Sequence, residues 1–584
     1  MKIFIKLGWF FKLYKWQYTF GILMLVAVGI IILIPPRIIG LTLDAIAGNT
    51  LTKTQLINYL LIIGIIAILS YVLRFFWRKM IFGSANHLAK ILRERLFDHY
   101  TKMGPNFYER KRIGDLMAHA TNDISAVQMA AGGGILTLFD SFITGGFVIA
   151  AMAITIDWRL TLVALLPLPI MALTTSYYGK LLHKYFKQAQ EAFSNLNDKS
   201  QESISGIKVI KSFGYEKEDL ADFKKLSEEV VEKNVHVAKV DALFDPTINI
   251  VIAFSYLLTL GVGTKFIVDD VISIGDLVAF TTYLSLLVWP MLAIGMLFNI
   301  VERGSASYDR IEEILGEKPE EDIEGAISTI PSGNISFHIN SFTFPGDLKP
   351  TLKDVKFELK SGETLGIVGR TGSGKSAIIK LLLRQFEQFN GEIKYNEVSI
   401  LDYEKQKYMQ AIGYVPQEHF LFSTTVYENI AFANVQAPKE EVQHAARLAY
   451  IHDDIERFTN GYETVVGERG VALSGGQKQR ISIARALILK PNLLILDDSL
   501  SAVDARTEEA ILHNLREERT DATTIIVSHR LSAITHANTI LFMENGTIVE
   551  KGTHEELMAI RGRYYEMYQL QQLEALVERG GKGE

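Results

Sequence analysis

The first half of this chain is dominated by apolar runs long enough to decide its fold. Stretches at roughly 18–42, 56–78, 133–156, 159–181, 247–268 and 275–299 each approach the ~20 apolar residues a helix needs to cross a bilayer core. Runs such as Gly21-Ile-Leu-Met-Leu-Val-Ala-Val-Gly-Ile-Ile-Ile-Leu-Ile34 do not fit the buried helices of a soluble domain. The pattern predicts six membrane spans.

Lys and Arg placement orients them. Segments 79–130 and 182–240 are long and basic, with Lys90-Ile-Leu-Arg-Glu-Arg95, Arg110-Lys-Arg112 and Lys184 to Lys187. The connections at 157–158 and 269–274 are short and carry Asp157, Asp269 and Asp270. The basic segments therefore face the cytoplasm, as do both termini. Their 3–4 apolar spacing, as in Arg93 to Met103 and Ala189 to Val209, predicts helices that continue past the membrane. Each reverses at a turn-rich stretch, Glu109 to Asp115 and Phe213 to Glu218, expected to dock on the second half of the chain. Met1 to Trp16 mixes Lys with aromatics, lacks a cleavage-site pattern and suits a helix in the membrane interface.

Within the spans, Pro35-Pro36, Pro167, Pro169 and Pro290 predict kinks. Asp140 stands in an otherwise apolar stretch, where an acid is costly. Two readings stay open for Asp140: a ligand for cationic substrates, or an interfacial acid hydrogen-bonded to a neighbouring helix.

The second half changes character to short apolar strands alternating with charged helical stretches. Its landmark is Gly369-Arg-Thr-Gly-Ser-Gly-Lys375-Ser376, between the apolar run Thr364 to Val368 and the helical pattern Ala377 to Leu383. In a strand–turn–helix setting, this spacing lets backbone N–H groups and the helix dipole cradle a polyphosphate. Lys375 then reaches the β- and γ-phosphates and Ser376 ligates Mg²⁺. Leu493 to Leu496 reads as a buried strand ending in Asp497-Asp498, where one acid can hold Mg²⁺ and the second can take a proton from water. A further strand, Thr524 to Val527, ends in Ser528-His529, which offers a contact to a γ-phosphate. Leu473-Ser-Gly-Gly-Gln477 precedes a helical segment, Lys478 to Leu489, and offers a second anion-binding helix terminus through Ser474, Gly475 and Gly476. Two such termini in one domain fit a sandwich in which each copy's second site closes over the other copy's nucleotide.

Composition excludes several alternatives. No cysteine is present, so there are no disulfides or thiolate metal sites. A formal net charge of -6 over 584 residues gives no hint of nucleic-acid binding, which would favour a basic face.

On these residues the chain resembles an ATP-binding cassette exporter half-transporter over essentially its whole length. The motifs stand in the family's order. The Walker A loop comprises Gly369, Arg370, Thr371, Gly372, Ser373, Gly374, Lys375 and Ser376, with Ala377 opening the helix. Gln417 matches the Q-loop glutamine and Leu473 to Gln477, with Ser474, Gly475, Gly476 and Gln477, the signature motif. Leu493 to Asp497 matches Walker B, Asp504 the D-loop and His529 the switch histidine. Phe344 stands where the family stacks adenine on an aromatic ring, and Val466 to Gly470 looks like the exporter loop that touches the coupling helices. The resemblance implies ATP and Mg²⁺ as cofactors, with the metal held by Ser376, Gln417 and Asp497.

The implied fold is an all-α six-helix transmembrane domain followed by an α/β P-loop nucleotide-binding domain. Expected boundaries are 1–316 for the transmembrane domain, 317–331 for a linker, 332–575 for the nucleotide-binding domain and 576–584 for a flexible tail. Expected partners are a second half-transporter, membrane lipid and an amphiphilic small molecule in a bacterial cytoplasmic membrane, with no nucleic acid.

One residue departs from the family. Its Walker B usually ends in Asp-Glu, and here the second acid is Asp498. Losing one methylene retracts the carboxylate by about 1.5 Å, one C–C bond. Misplacement of ~1 Å can cost about 100-fold in rate. The site built on this chain's own Walker motifs is therefore expected to be slow or non-hydrolytic, while its signature motif is intact. That asymmetry resembles heterodimeric bacterial multidrug exporters, whose degenerate subunit lends its signature to the partner's competent site. Lipid flipping and a nucleotide-switched regulatory subunit remain alternatives.

Overall fold

The computed structural model describes residues 2–319, 326–467, 472–518 and 522–580. They fall into two compact units, Met1–Lys102 with Lys111–Lys318, and Met103–Arg110 with Pro319–Glu584.

In the first unit, six helices among the described residues are long and apolar enough to cross a membrane: Lys15–Ala47, Lys53–Lys102, Ile113–Thr155, Trp158–Ser205, Glu216–Val268 and Ile274–Leu315. Each contains one expected apolar stretch. The second is a single helix of 50 residues. At 1.5 Å per residue it is ~75 Å long, more than twice the ~30 Å hydrocarbon core, so much of it stands beyond the membrane as expected.

The prolines act one turn upstream of themselves. A proline ring collides with the carbonyl of residue i−4 and removes that hydrogen bond. Helix Lys15–Ile31 accordingly stops four residues before Pro35, and the chain resumes at Ile34–Ala47. Trp158–Leu165 gives way to Leu168–Ser205 at Pro167, and Ile274–Leu286 stops four residues before Pro290. The third span also holds π-helical turns at His119–Asp123, Ala130–Gly134 and Asp140–Thr144, which no sequence signal announced.

Several charges along these helices are paired. Arg310 forks onto Asp123, which also meets His119 Nδ1 at 2.7 Å. Arg37 pairs with Asp276. Asp44 accepts from Ser273 Oγ at 2.6 Å and from the Gly275 N–H at 2.7 Å, so the first span caps the sixth. The helices cross so closely there that a Cβ on Gly275 would collide with the Gly40 carbonyl. Small residues and side-chain hydrogen bonds join helices where the hydrophobic effect cannot.

The N-terminal segment forms helices Lys2–Lys6 and Gly8–Leu13. Ile3, Leu7 and Phe10 are fully buried, Trp9 donates to the Tyr308 hydroxyl at 3.2 Å, and Arg95 lies 4.2 Å over the Trp9 ring. One apolar face of the segment is thus covered by protein, while Ile5, Leu13 and Trp16 stay exposed.

The second unit holds ten strands among its described residues: β1 (Ile335–Phe342), β2 (Leu352–Leu359), β3 (Thr364–Gly369), β4 (Asn390–Tyr395), β5 (Val398–Ser399), β6 (Ile412–Val415), β7 (Leu493–Asp497), β8 (Thr523–Val527), β9 (Thr539–Glu544) and β10 (Thr547–Gly552). A four-stranded antiparallel sheet runs β2-β1-β4-β5. A six-stranded sheet runs β10-β9-β3-β8-β7-β6, parallel except for β10. All of β7 is buried, and its Leu-Leu-Ile-Leu run is what a parallel strand covered on both faces requires. Ligands of such sheets bind beyond the carboxyl ends of the strands.

Two expected edges differ. Ile327, in the expected linker, already bonds to Asp402 and Glu404 of the second unit through backbone pairs of 2.8 and 3.0 Å. The last helix, Arg563–Gly580, continues into the expected flexible tail, and 581–584 lie outside the described residues.

Candidate nucleotide site

The phosphate loop is shaped by what surrounds it. Strand β3 ends at Gly369, where a Cβ would drive into the Met543 carbonyl on neighbouring β9. Gly374, at φ +100°, opens helix Lys375–Leu382 with no side-chain cap. Left-handed backbone at this point favours glycine. Lys375 is 6% exposed and its Nζ donates to the carbonyls of Gly369 at 2.8 Å and Arg370 at 3.0 Å. Burial pulls its ammonium below the ordinary lysine range, against the charges of Asp498 and Asp497. Ser373 Oγ is buried without a protein partner. An orphaned hydroxyl in a cradle of glycines fits a phosphate oxygen. Ser376 is exposed in the first turn, Arg370, Thr371 and Gly372 are exposed on the loop, and Ala377 is buried beneath it.

The remaining chemistry sits on consecutive strand ends. Val415 of β6 pairs with Leu496 of β7, and Asp497 of β7 with Val527 of β8. Gln417, Asp498 and His529 follow these strands directly. Asp497 is buried, and burial, then the neighbouring Asp498, pushes its carboxyl above the usual range, while Tyr414 Oη donates to it at 3.5 Å. Asp498 adopts φ +47°, its N–H donates to the Val527 carbonyl at 2.8 Å, and its Oδ1 is buried without a partner. Burial, with Lys375 second, holds the His529 imidazole below the ordinary histidine range, opposed by Asp498.

A second histidine was missed by the sequence reading. Burial also lowers His419, again opposed by Asp498, and its Nδ1 is buried without a partner. Two imidazoles therefore feel the Asp498 carboxylate. Only His419's place two residues after Gln417 hinted at this.

The donors fit Mg²⁺ in kind. Ser376, Gln417 and Asp497 all offer hard oxygens. Among the described residues no group of three His, Cys, Asp or Glu side chains forms a metal site. An ion here would need phosphate oxygens to complete its shell.

Phe344 is tied into an aromatic cluster, edge-on to Phe342 at 4.9 Å and Phe386 at 5.1 Å. Lys380 Nζ stands 5.2 Å from its ring centre and donates to Glu109 at 2.6 Å. Glu109 belongs to helix Pro105–Arg110, which the second unit includes.

The second helix terminus starts earlier than the sequence suggested, at Gly475. Ser474 and Gln477 close a capping box: Ser474 Oγ accepts from the Gln477 N–H at 3.2 Å, and Gln477 Oε1 from the Ser474 N–H at 3.1 Å. Asp504 caps helix Ala505–Glu518 by accepting from the Thr507 N–H at 3.0 Å and its hydroxyl at 2.7 Å. Of the expected exporter loop, 468–470 lie outside the described residues. Asp140 belongs to the other unit, half-buried at the start of a π-turn packed against the first and sixth spans.

Comparison with known proteins matches both halves of the chain. The family description "ABC transporter transmembrane region" matches residues 18–291, and "ABC transporter" matches 352–501. The "Probable multidrug resistance ABC transporter ATP-binding/permease protein YheI" of Bacillus subtilis (strain 168) is 45% identical over 99% of both chains. The "Multidrug resistance-like ATP-binding protein MdlA" of Escherichia coli (strain K12) is 44% identical over 99% of this chain and 98% of its own. Among solved structures, a bacterial Atm1-family ABC exporter with ATP bound matches with a TM-score of 0.78 at 25% identity, covering 96% of this chain and 99% of the other.

Proposed function

From the premise that this chain belongs to the ABC transporter family, as an integral membrane exporter and ATPase with its ATP-binding domain on the cytoplasmic side, we propose that it exports amphiphilic compounds as one half of a heterodimer. In this reading the membrane domain spans 1–316 and the nucleotide domain 332–575. The partner is a second half-transporter whose Walker B strand ends in Asp-Glu.

In this reading Lys375 and the loop amides hold the polyphosphate, and Ser373 donates to one of its oxygens. Ser376, Gln417 and Asp497 would hold Mg²⁺, which when bound would neutralise phosphate charge. His529 donates to the γ-phosphate. Asp498 accepts a proton from the attacking water, but from a carboxylate set back by one bond, so this site acts as a slow ATP clamp. Ser474 to Gln477 close over the partner's nucleotide, where most hydrolysis occurs. Helix Pro105–Arg110, through Glu109 and Lys380, feels the state of the nucleotide domain. Phe344 presents one face to adenine, and Asp140 contributes to the substrate path.

The observation that carries the heterodimer is Asp498 itself, beside an otherwise complete motif set. The names of the relatives support drug-like substrates. The test is purification of the tagged chain from its own membrane, reconstitution in liposomes, and ATP-driven uptake of a fluorescent amphiphilic dye. A stoichiometric partner carrying Asp-Glu and dye-stimulated ATPase are expected. A chain active alone, or a complex whose ATPase ignores every amphiphile, would contradict the reading.

A further inference from the structure

The switch histidine is held by a residue far away in sequence, on the last helix. Helix Arg563–Gly580 is anchored at its start: Glu550 accepts from the backbone N–H of Arg563 at 2.5 Å and of Tyr564 at 3.1 Å. Tyr564 is fully buried, its hydroxyl meets His554 Nδ1 at 2.8 Å, and Met567 and Tyr568 pack against the same core. Positions 564, 567, 568 and 571 share one helix face.

The next residue on that face, Gln571, spans the loop after β8. Its Nε2 donates to the His529 carbonyl at 2.6 Å, and its Oε1 accepts from the Leu531 N–H at 2.9 Å. The amide orientation follows from its partners, since a carbonyl needs the NH₂ and an N–H needs the oxygen. The other side of the loop is fixed independently. The Arg530 N–H donates to Ser528 Oγ at 2.9 Å, Arg530 Nη1 to the Val503 carbonyl at 3.1 Å, and Ser532 Oγ to Glu508 at 2.8 Å. His529 thus lies between a D-loop clamp and a C-terminal clamp.

We propose that Gln571 is a positioning residue that holds the His529 backbone so that its imidazole meets the γ-phosphate, and that docking of the last helix thereby sets how long this chain keeps ATP. The inference rests on the reading of His529 as the γ-phosphate contact. Its physical basis is that a displacement of ~1 Å suffices to spoil such a contact.

The γ-phosphate supplies the test, because ATP carries it and ADP does not. Release of fluorescent ATP and fluorescent ADP is followed by stopped flow from the full-length protein in nanodiscs, with any co-purifying partner retained. Gln571→Ala is expected to speed ATP release about 10-fold and to leave ADP release within 2-fold, and to add nothing in a His529→Ala background. A general loosening of the fold would speed both nucleotides. If Gln571→Ala fails to fold, Gln571→Glu carries the same expectation, since it still accepts from Leu531 but cannot donate to the His529 carbonyl. Equal acceleration of ATP and ADP, no acceleration, or an effect that adds to His529→Ala overturns the proposal. Failure of His529→Ala itself to distinguish ATP from ADP would overturn it too, by removing the role of His529.

Discussion

Two helix N-termini in the nucleotide-binding domain carry the same dipole and are finished in opposite ways. Helix Lys375–Leu382 begins at a left-handed Gly374 with no side-chain cap, beside a buried, unpartnered Ser373 hydroxyl. Helix Gly475–Leu487 begins with a closed capping box made by its own Ser474 and Gln477. The first end leaves backbone donors for something outside the protein, as an anion site should. The second has its Gln477 N–H capped by the Ser474 hydroxyl and so presents a preformed surface. In the proposed reading, one end holds this chain's nucleotide and the other is laid against a nucleotide held by the partner.

That contrast can be broken at four points, in falling order of effect. Lys375→Ala removes a charge-assisted contact of ~1.5–3 kcal/mol, so ATP should bind about 10–100-fold more weakly by fluorescence titration. Unchanged affinity would move the phosphate site elsewhere. Gly374→Ala puts a Cβ 2.9 Å from Leu352 at φ +100°, and should cost about 1–2 kcal/mol of domain stability by thermal denaturation, with ATP affinity falling alongside. Ser474→Ala removes a cap worth ~1 kcal/mol. It should lower stability slightly, leave ATP binding at Lys375 untouched, and reduce turnover of the assembled transporter. If it instead weakens ATP binding at this chain's own loop, the two ends are not distinct. Smallest is the Glu109–Lys380 pair, with side chains 45% and 33% exposed. A double-mutant cycle with Glu109→Gln and Lys380→Met should show only ~0.2–1 kcal/mol of coupling.

The sequence revealed the parts in which chemistry and chain order coincide. The phosphate loop, the buried strand into Asp497 and the six apolar runs are contiguous, so each carries its own signal. The proline breaks were legible for the same reason, needing only the i−4 carbonyl. What stayed hidden joins distant segments. Asp44 caps a helix more than 200 residues away, Gln571 holds a loop 42 residues earlier, and Lys380 covers Phe344 while paired to Glu109. No local pattern announces such a bond, because it exists only after the chain has folded. The π-turns of the third span were hidden for another reason: a single inserted residue leaves no mark on composition. Ser474 stands at the N-terminus of the helix, and its hydroxyl accepts from that helix's own Gln477 N–H.

The central claim is that Asp498 makes this chain's own site slow by geometry alone, with the rest of the machinery intact. Its most direct test is Asp498→Glu in the full-length assembled protein, with the Walker B glutamate of any partner changed to glutamine so that only this site turns over. Restoring one methylene should raise ATP hydrolysis, by up to about 100-fold, with ATP affinity unchanged. An Asp498→Glu protein that hydrolyses no faster than the parent would contradict the account.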